Sequence, residues 1–217
     1  MTTTPLQRTN GKHSAATAPG ENRAARAIAA MLSPSILASA VLLIAGTVDS
    51  GWWGFWWAAA TAVVLLGLPM AVLIALSRRG VVDSRYVRRR EHRFPVYGGV
   101  CVLIVAVLAA QLLLGPALGI PMSVTLTAMF LLLGVTTLMV ITLAWKVSAH
   151  TAMAATFAVA VPVLAGGWLV FLTWMVPVAV AWSRLRTGDH TYWQTVVGIW
   201  MGVLIGGFYG LMWNWSI

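Results

Sequence analysis

Thr151 to Trp182 reads TAMAATFAVAVPVLAGGWLVFLTWMVPVAVAW, without a single charged side chain. As one helix this stretch would run about 48 Å at 1.5 Å per residue, well past a hydrocarbon core of ~30 Å. Gly166-Gly167 lies at its middle, and a turn there divides it into two short apolar limbs. The fold depends on that turn. With it, the polar stretches Lys146-Val-Ser148-Ala-His150 and Ser183-Arg184-Leu-Arg-Thr-Gly-Asp-His190-Thr-Tyr-Trp-Gln194 fall at the same end of the molecule. Without it they fall at opposite ends.

Apolar segments recur along the rest of the chain. Of 217 residues, 60% are hydrophobic and 9% charged, whereas soluble domains carry about a quarter charged residues. The expected fold is all-α, a polytopic transmembrane helix bundle of about 6–7 spans with an active site at one membrane face. The spans are expected near 33–48, 54–77, 97–115, 122–145, 150–166, 168–186 and 191–213. Two domains are expected: residues 1–30 as a disordered basic tail, and 31–217 as the transmembrane domain. The tail has no apolar core near its start and no small-residue cleavage site, so it does not read as a signal peptide.

Seven spans put the tail and the loops 78–95, 146–150 and 183–190 on one side, and these hold all fourteen Lys and Arg residues. The positive-inside rule makes that side cytoplasmic in a multi-pass cell-membrane protein. The net charge of +9 belongs to no soluble fold that could present it to nucleic acid, so anionic headgroups or a phosphorylated substrate are the expected partners. Cys101 alone supplies neither a disulfide nor a thiolate metal site. Trp52, Trp53, Phe55, Trp56 and Trp57 read as an interfacial aromatic belt. Gly198, Gly202 and Gly206 share one face of the last span and read as a helix-packing stripe inside the monomer, with a homo-oligomer seam as the other possibility.

Ionisable groups are costly at membrane depth and mark sites there. His190 and Gln194, four apart at a helix start, share a face, so Gln194 can hold one imidazole nitrogen and leave the other for nucleophilic or base chemistry. The plainer reading is a histidine snorkelling at the interface. Ser148 is placed to cap the helix that follows, and the free N–H groups of that first turn favour an anion beside His150, a candidate general acid. The plainer reading there is a cap with a solvated histidine. Lys146, Arg184 and the cationic loop containing Arg89 and Arg93 supply phosphate-binding candidates, because guanidinium forks match phosphoryl oxygens. No metal-ligand or nucleotide-binding motif is present, so no metal or cofactor is expected.

These residues resemble the type 2 phosphatidic acid phosphatase superfamily, which includes the vanadium haloperoxidases and carries KxxxxxxRP, PSGH and SRxxxxxHxxxD in that order. Ser183-Arg184, five residues, His190, three residues and Gln194 follow the third motif apart from its final Asp. Val147-Ser148-Ala149-His150 keeps Ser and His of the second, and Arg93-Phe94-Pro95 stands for the end of the first, with Tyr86 at the lysine spacing. His-Thr-x-x-Gln followed by glycines is similar to the dolichyl diphosphate phosphatase branch. The likeness covers Arg85 to Gly206, about half the chain. It implies His190 as nucleophile, His150 as acid, Gln194 as the histidine's partner, and Arg93, Arg89, Lys146, Ser148, Ser183 and Arg184 as phosphate-binding groups. The implied enzyme is a metal-independent membrane phosphatase acting on a phosphomonoester or diphosphate of an isoprenoid or phospholipid. The alternative is a non-catalytic member that binds prenyl phosphates or serves as a membrane partner subunit.

Overall fold

The computed structural model describes residues 19–79 and 90–216, with the side chains of 19–22, 90–97 and 216 outside the description. The described residues form helices and no strand: α1 (Pro19–Met31), α2 (Pro34–Ala62), a π-helical turn (Val63–Gly67), α3 (Leu68–Arg78), α4 (Arg90–Leu118), α5 (Met122–Ala144), α6 (Ala149–Ala165), α7 (Val170–Thr173), α8 (Met175–Arg186) and α9 (Tyr192–Ser216). Five helical stretches are long and apolar enough to cross a membrane, and α6 is a shorter apolar helix. The longest of the five, Arg23–Arg78, is folded on itself. Ser50 and Gly51 leave helical geometry, Gly51 at φ +57. The chain doubles back so tightly that a methyl on Gly46 or Gly54 would overlap the other's carbonyl. Each of the seven segments expected from hydropathy is therefore helical over most of its length.

The turn at Gly166-Gly167 is present. Gly166 takes φ +128 at the end of α6, a conformation open to glycine and rarely to other residues. Pro162 inside α6 has no N–H for the Ala158 carbonyl, and the Thr173 hydroxyl of the returning limb donates to that carbonyl at 3.0 Å. A proline-freed carbonyl in an apolar bundle needs such a substitute donor. The returning limb is not one smooth helix. It runs as a 3₁₀ turn (Gly167–Leu169), α7 and α8, broken near Trp174 because Pro177 cannot donate to the carbonyl four residues back.

The tail expected to be disordered to residue 30 is helical from Pro19. Ala25 and Ala29 are buried while Arg23 and Arg26 are exposed, so small residues spaced four apart give a narrow face that fits against α8. At the opposite end of the bundle the Trp53 indole donates to the Gly119 carbonyl at 2.8 Å, tying the expected aromatic belt to the α4–α5 turn.

What positions the site is the pairing of α6 with α9. Gly198, Gly202, Gly206 and Gly210 face α6 from Ser148 to Val163, and a Cβ at the first two would overlap α6 backbone oxygens. The glycine stripe therefore serves packing within the chain. Hydroxyls exploit the close approach: Thr151 donates to the Thr195 carbonyl at 3.1 Å and Thr156 to the Gly202 carbonyl at 3.2 Å. The start of α6 meets the start of α9, and the end of α6 meets Gly210, so the two helices run parallel with both N-termini at one end.

Candidate active site

Two parallel helix N-termini side by side concentrate partial positive charge and unbonded N–H groups at one place, which favours an anion. The sequence puts a histidine at each. Ser148 caps α6 by accepting from Thr151 N at 3.4 Å, and its own N–H donates to the Gln194 carbonyl at 3.2 Å. His150 follows in the first turn, buried at 8% exposure. His190 immediately precedes the cap of α9. The histidines are close enough for charge on His190 and Arg184 to act on His150.

Gln194 does reach His190, with Nδ1 and Oε1 3.2 Å apart. Its amide orientation is set by a reciprocal capping box that sequence reasoning missed, although Thr191-x-x-Gln194 is its signature. The Thr191 backbone N–H donates to Gln194 Oε1 at 3.2 Å, and Gln194 N donates to Thr191 Oγ1 at 3.4 Å. A backbone N–H can only donate, so the side-chain atom facing it and His190 is the carbonyl oxygen. His190 Nδ1 is then the protonated nitrogen, and Nε2 carries the lone pair. The imidazole is also held neutral: its pKa is lowered to about 4, first by burial and then by Lys146 and Arg184, with Gln194 and Asp189 opposing.

Lys146 and Arg184 converge on Asp189. Lys146 Nζ donates to the Asp189 carbonyl oxygen at 2.6 Å. Arg184 forms a 2.7 Å ion pair with the Asp189 carboxylate, and its buried Nε has no hydrogen-bond partner. Asp189 itself was not anticipated. It is five residues from Arg184, beyond helical register, and is brought back by Gly188 at φ +68.

Two expected phosphate ligands are placed otherwise. The Ser183 hydroxyl is fully buried and donates to the Ala25 carbonyl at 2.6 Å, so it pins α1 to α8 and does not join the histidines. The Ser148 hydroxyl is also fully buried and serves as the α6 cap, as expected, with no exposed surface toward solvent. Arg89 and the Arg93 side chain lie outside the described residues. Among the described residues no three His, Cys, Asp or Glu side chains group as metal ligands.

An apolar cavity of about 120 Å³ lies among α2, α5, α6 and α9, lined by Leu138, Ala149, Met153, Gly134, Ile205 and Tyr209 among others. Ala149, between Ser148 and His150, marks its end nearest the site. No protein-family model, curated protein or solved structure matches the chain.

Proposed function

We propose that this chain is an integral membrane phosphatase that hydrolyses a lipid-linked phosphomonoester or diphosphate through a phosphohistidine at His190. The observation that carries the reading is the His190–Gln194–Thr191 arrangement. It presents an unprotonated Nε2 on a neutral imidazole, at paired helix N-termini flanked by Lys146 and Arg184. His190 Nε2 attacks phosphorus in line; the N–P bond forms as the P–O bond to the lipid breaks. The electron pair leaves with the lipid oxygen, which takes a proton from His150. Burial and the neighbouring Arg184 and His190 charges oppose the imidazolium form of His150 that this requires, and the incoming phosphate's negative charge acts against them. Water then attacks phosphorus, gives its proton to His150, and the N–P pair returns to Nε2. Lys146, the Arg184 guanidinium and the helix N-termini hold the phosphoryl oxygens.

The cavity beside Ala149 supports an amphiphilic substrate. The cavity volume has room for roughly one benzene-sized group, which suits one branched segment of a tail. In the proposed arrangement seven segments cross the membrane and the histidine end faces the cytoplasm, where the positive-inside rule places the tail and the cationic loops. Phosphate release by the purified protein in detergent with EDTA, from polyprenyl diphosphates, polyprenyl monophosphates and phosphatidic acid, tests the reading. Release abolished by His190→Ala is expected.

A second reading, a prenyl-phosphate binder without turnover, is favoured by the inward-turned Ser148 and the engagement of Arg184 by Asp189. It predicts substrate binding without phosphate release, and binding undiminished by His190→Ala.

A further inference from the structure

Lys146 and Arg184 bring two positive charges to a pair of imidazoles. Gln194, the side chain bonded to His190, is neutral. The described side chains include only two carboxylates, and Asp49 sits beside the Ser50–Gly51 turn at the other end of the molecule. Asp189 is the one in the site, and its contacts tie two elements to the loop that carries His190. Its Oδ2 accepts from Arg184 at 2.7 Å and from the Thr187 hydroxyl at 2.7 Å, while its carbonyl accepts from Lys146. The end of α8 and the link before α6 therefore meet on the side chain and carbonyl of the residue that precedes His190. The backbone between Arg184 and Asp189 is built for this return. Thr187 N donates to the Ser183 carbonyl at 2.9 Å, Gly188 N to the Leu185 carbonyl at 3.2 Å, and Gly188 supplies the left-handed turn.

We propose that Asp189 is the positioning residue and counter-charge of the site: it holds Arg184 and the His190 loop in place and stabilises positive charge on the imidazole during phosphoryl transfer. The assignment rests on the phosphatase reading for its role in turnover, but its electrostatic part can be measured without turnover. When His190 Nε2 bonds to phosphorus while Nδ1 keeps its proton, the ring gains positive charge between Lys146 and Arg184. A carboxylate adjacent in the chain offsets that charge. The ion pair uses Arg184 Nη2, so it need not break when a phosphoryl oxygen approaches the rest of the guanidinium.

The groups acting on His190 are Lys146 from the α5–α6 link, Arg184 from α8, Gln194 from α9 and Asp189, with His150 on α6 alongside. Two quantities are measured on the full chain in detergent: the His190 titration midpoint by NMR of histidine-labelled protein, assigned with His190→Gln, and phosphate release with kcat and KM separated. Asp189→Asn is expected to lower the midpoint and reduce kcat by ~10–100-fold, the equivalent of one charge-assisted hydrogen bond. Adding Gln194→Asp to that variant is expected to restore both, because a carboxylate again faces the ring. A loss of thermal stability with midpoint and kcat unchanged would overturn the proposal and leave the phosphatase reading standing. A midpoint lowered by Asp189→Asn, in a protein whose wild type releases no phosphate, would do the reverse, keeping the counter-charge and removing the reaction. Should Asp189→Asn not fold, Asp189→Glu carries the test. Displacing the charge by one methylene is expected to keep the midpoint within reach of wild type and lower kcat, and unchanged kcat would overturn the assignment.

Discussion

Gln194 has two roles that can be separated by substitution. As N3 of the α9 capping box it holds the Thr191 N–H, and through the same oxygen it fixes the His190 tautomer. Gln194→Asp keeps an acceptor toward both groups and should retain or raise activity, whereas Gln194→Leu leaves the ring unanchored and should reduce it by ~10-fold or more. Full activity in the Leu variant would remove Gln194 from the site. The pH profile addresses the same ring. A base whose pKa is lowered to about 4 stays neutral across the range where an ordinary histidine protonates. The acid limb of kcat/KM is thus expected only below about pH 5, as protonation removes the Nε2 lone pair. An acid limb near 6.5 that does not follow the substrate's own ionisation would contradict the neutral, buried imidazole. The His190–Gln194 contact was legible in the sequence because positions four apart on a helix share a face. Asp189 was not, because its return to Arg184 depends on a left-handed glycine turn. Nor could the sequence say which way Ser183 points. The Ser183 hydroxyl is claimed by α1, a helix whose sequence reads first as a basic tail.

At the scale of elements, the register of α6 on α9 decides whether the two histidines meet. Gly202 is the tightest contact in the stripe, so Gly202→Leu should force α6 away. Overpacking of this kind costs about 1–3 kcal/mol or more, visible as a lower thermal midpoint in detergent with loss of phosphate release. Gly207 on the same helix has nothing within 4 Å of an added Cβ, and Gly207→Leu should leave both unchanged. Equal effects at the two positions would mean that the stripe does not set the register. The glycine spacing, the seven helical segments and the turn at Gly166-Gly167 were all readable from hydropathy and small-residue period. The breaks at Trp174 and in the π-helical turn were not, because they depend on how Pro177 and the neighbouring helices satisfy freed backbone groups. The cavity is an element-scale feature too. Gly134→Leu projects into it, with Ile205 at 3.9 Å from the new Cβ as an ordinary contact. It should raise KM for long-chain substrates and leave a soluble phosphate ester unaffected; no difference between substrates would remove the cavity from tail binding.

For the whole molecule, chemistry and topology constrain each other, since His150 and His190 act together only if the helices before them return to one face. Leu185→Cys in a Cys101→Ala background should escape a membrane-impermeant maleimide in intact cells, and Asp49→Cys should be labelled. The opposite pattern would turn the site to the outer face and favour recycling of a lipid carrier there. That orientation is separable from the reaction itself, whose central claim is a covalent bond at one nitrogen. The most direct measurement is to quench the purified protein during turnover of a polyprenyl diphosphate, in the wild type and in His150→Ala, and map phosphorylation by mass spectrometry under alkaline conditions that preserve phosphohistidine. Phosphate on His190 is expected, absent in His190→Ala and altered in occupancy when His150 can no longer serve either step. Turnover that persists in His190→Ala, or turnover by the wild type with no phosphate ever found on His190, would contradict it.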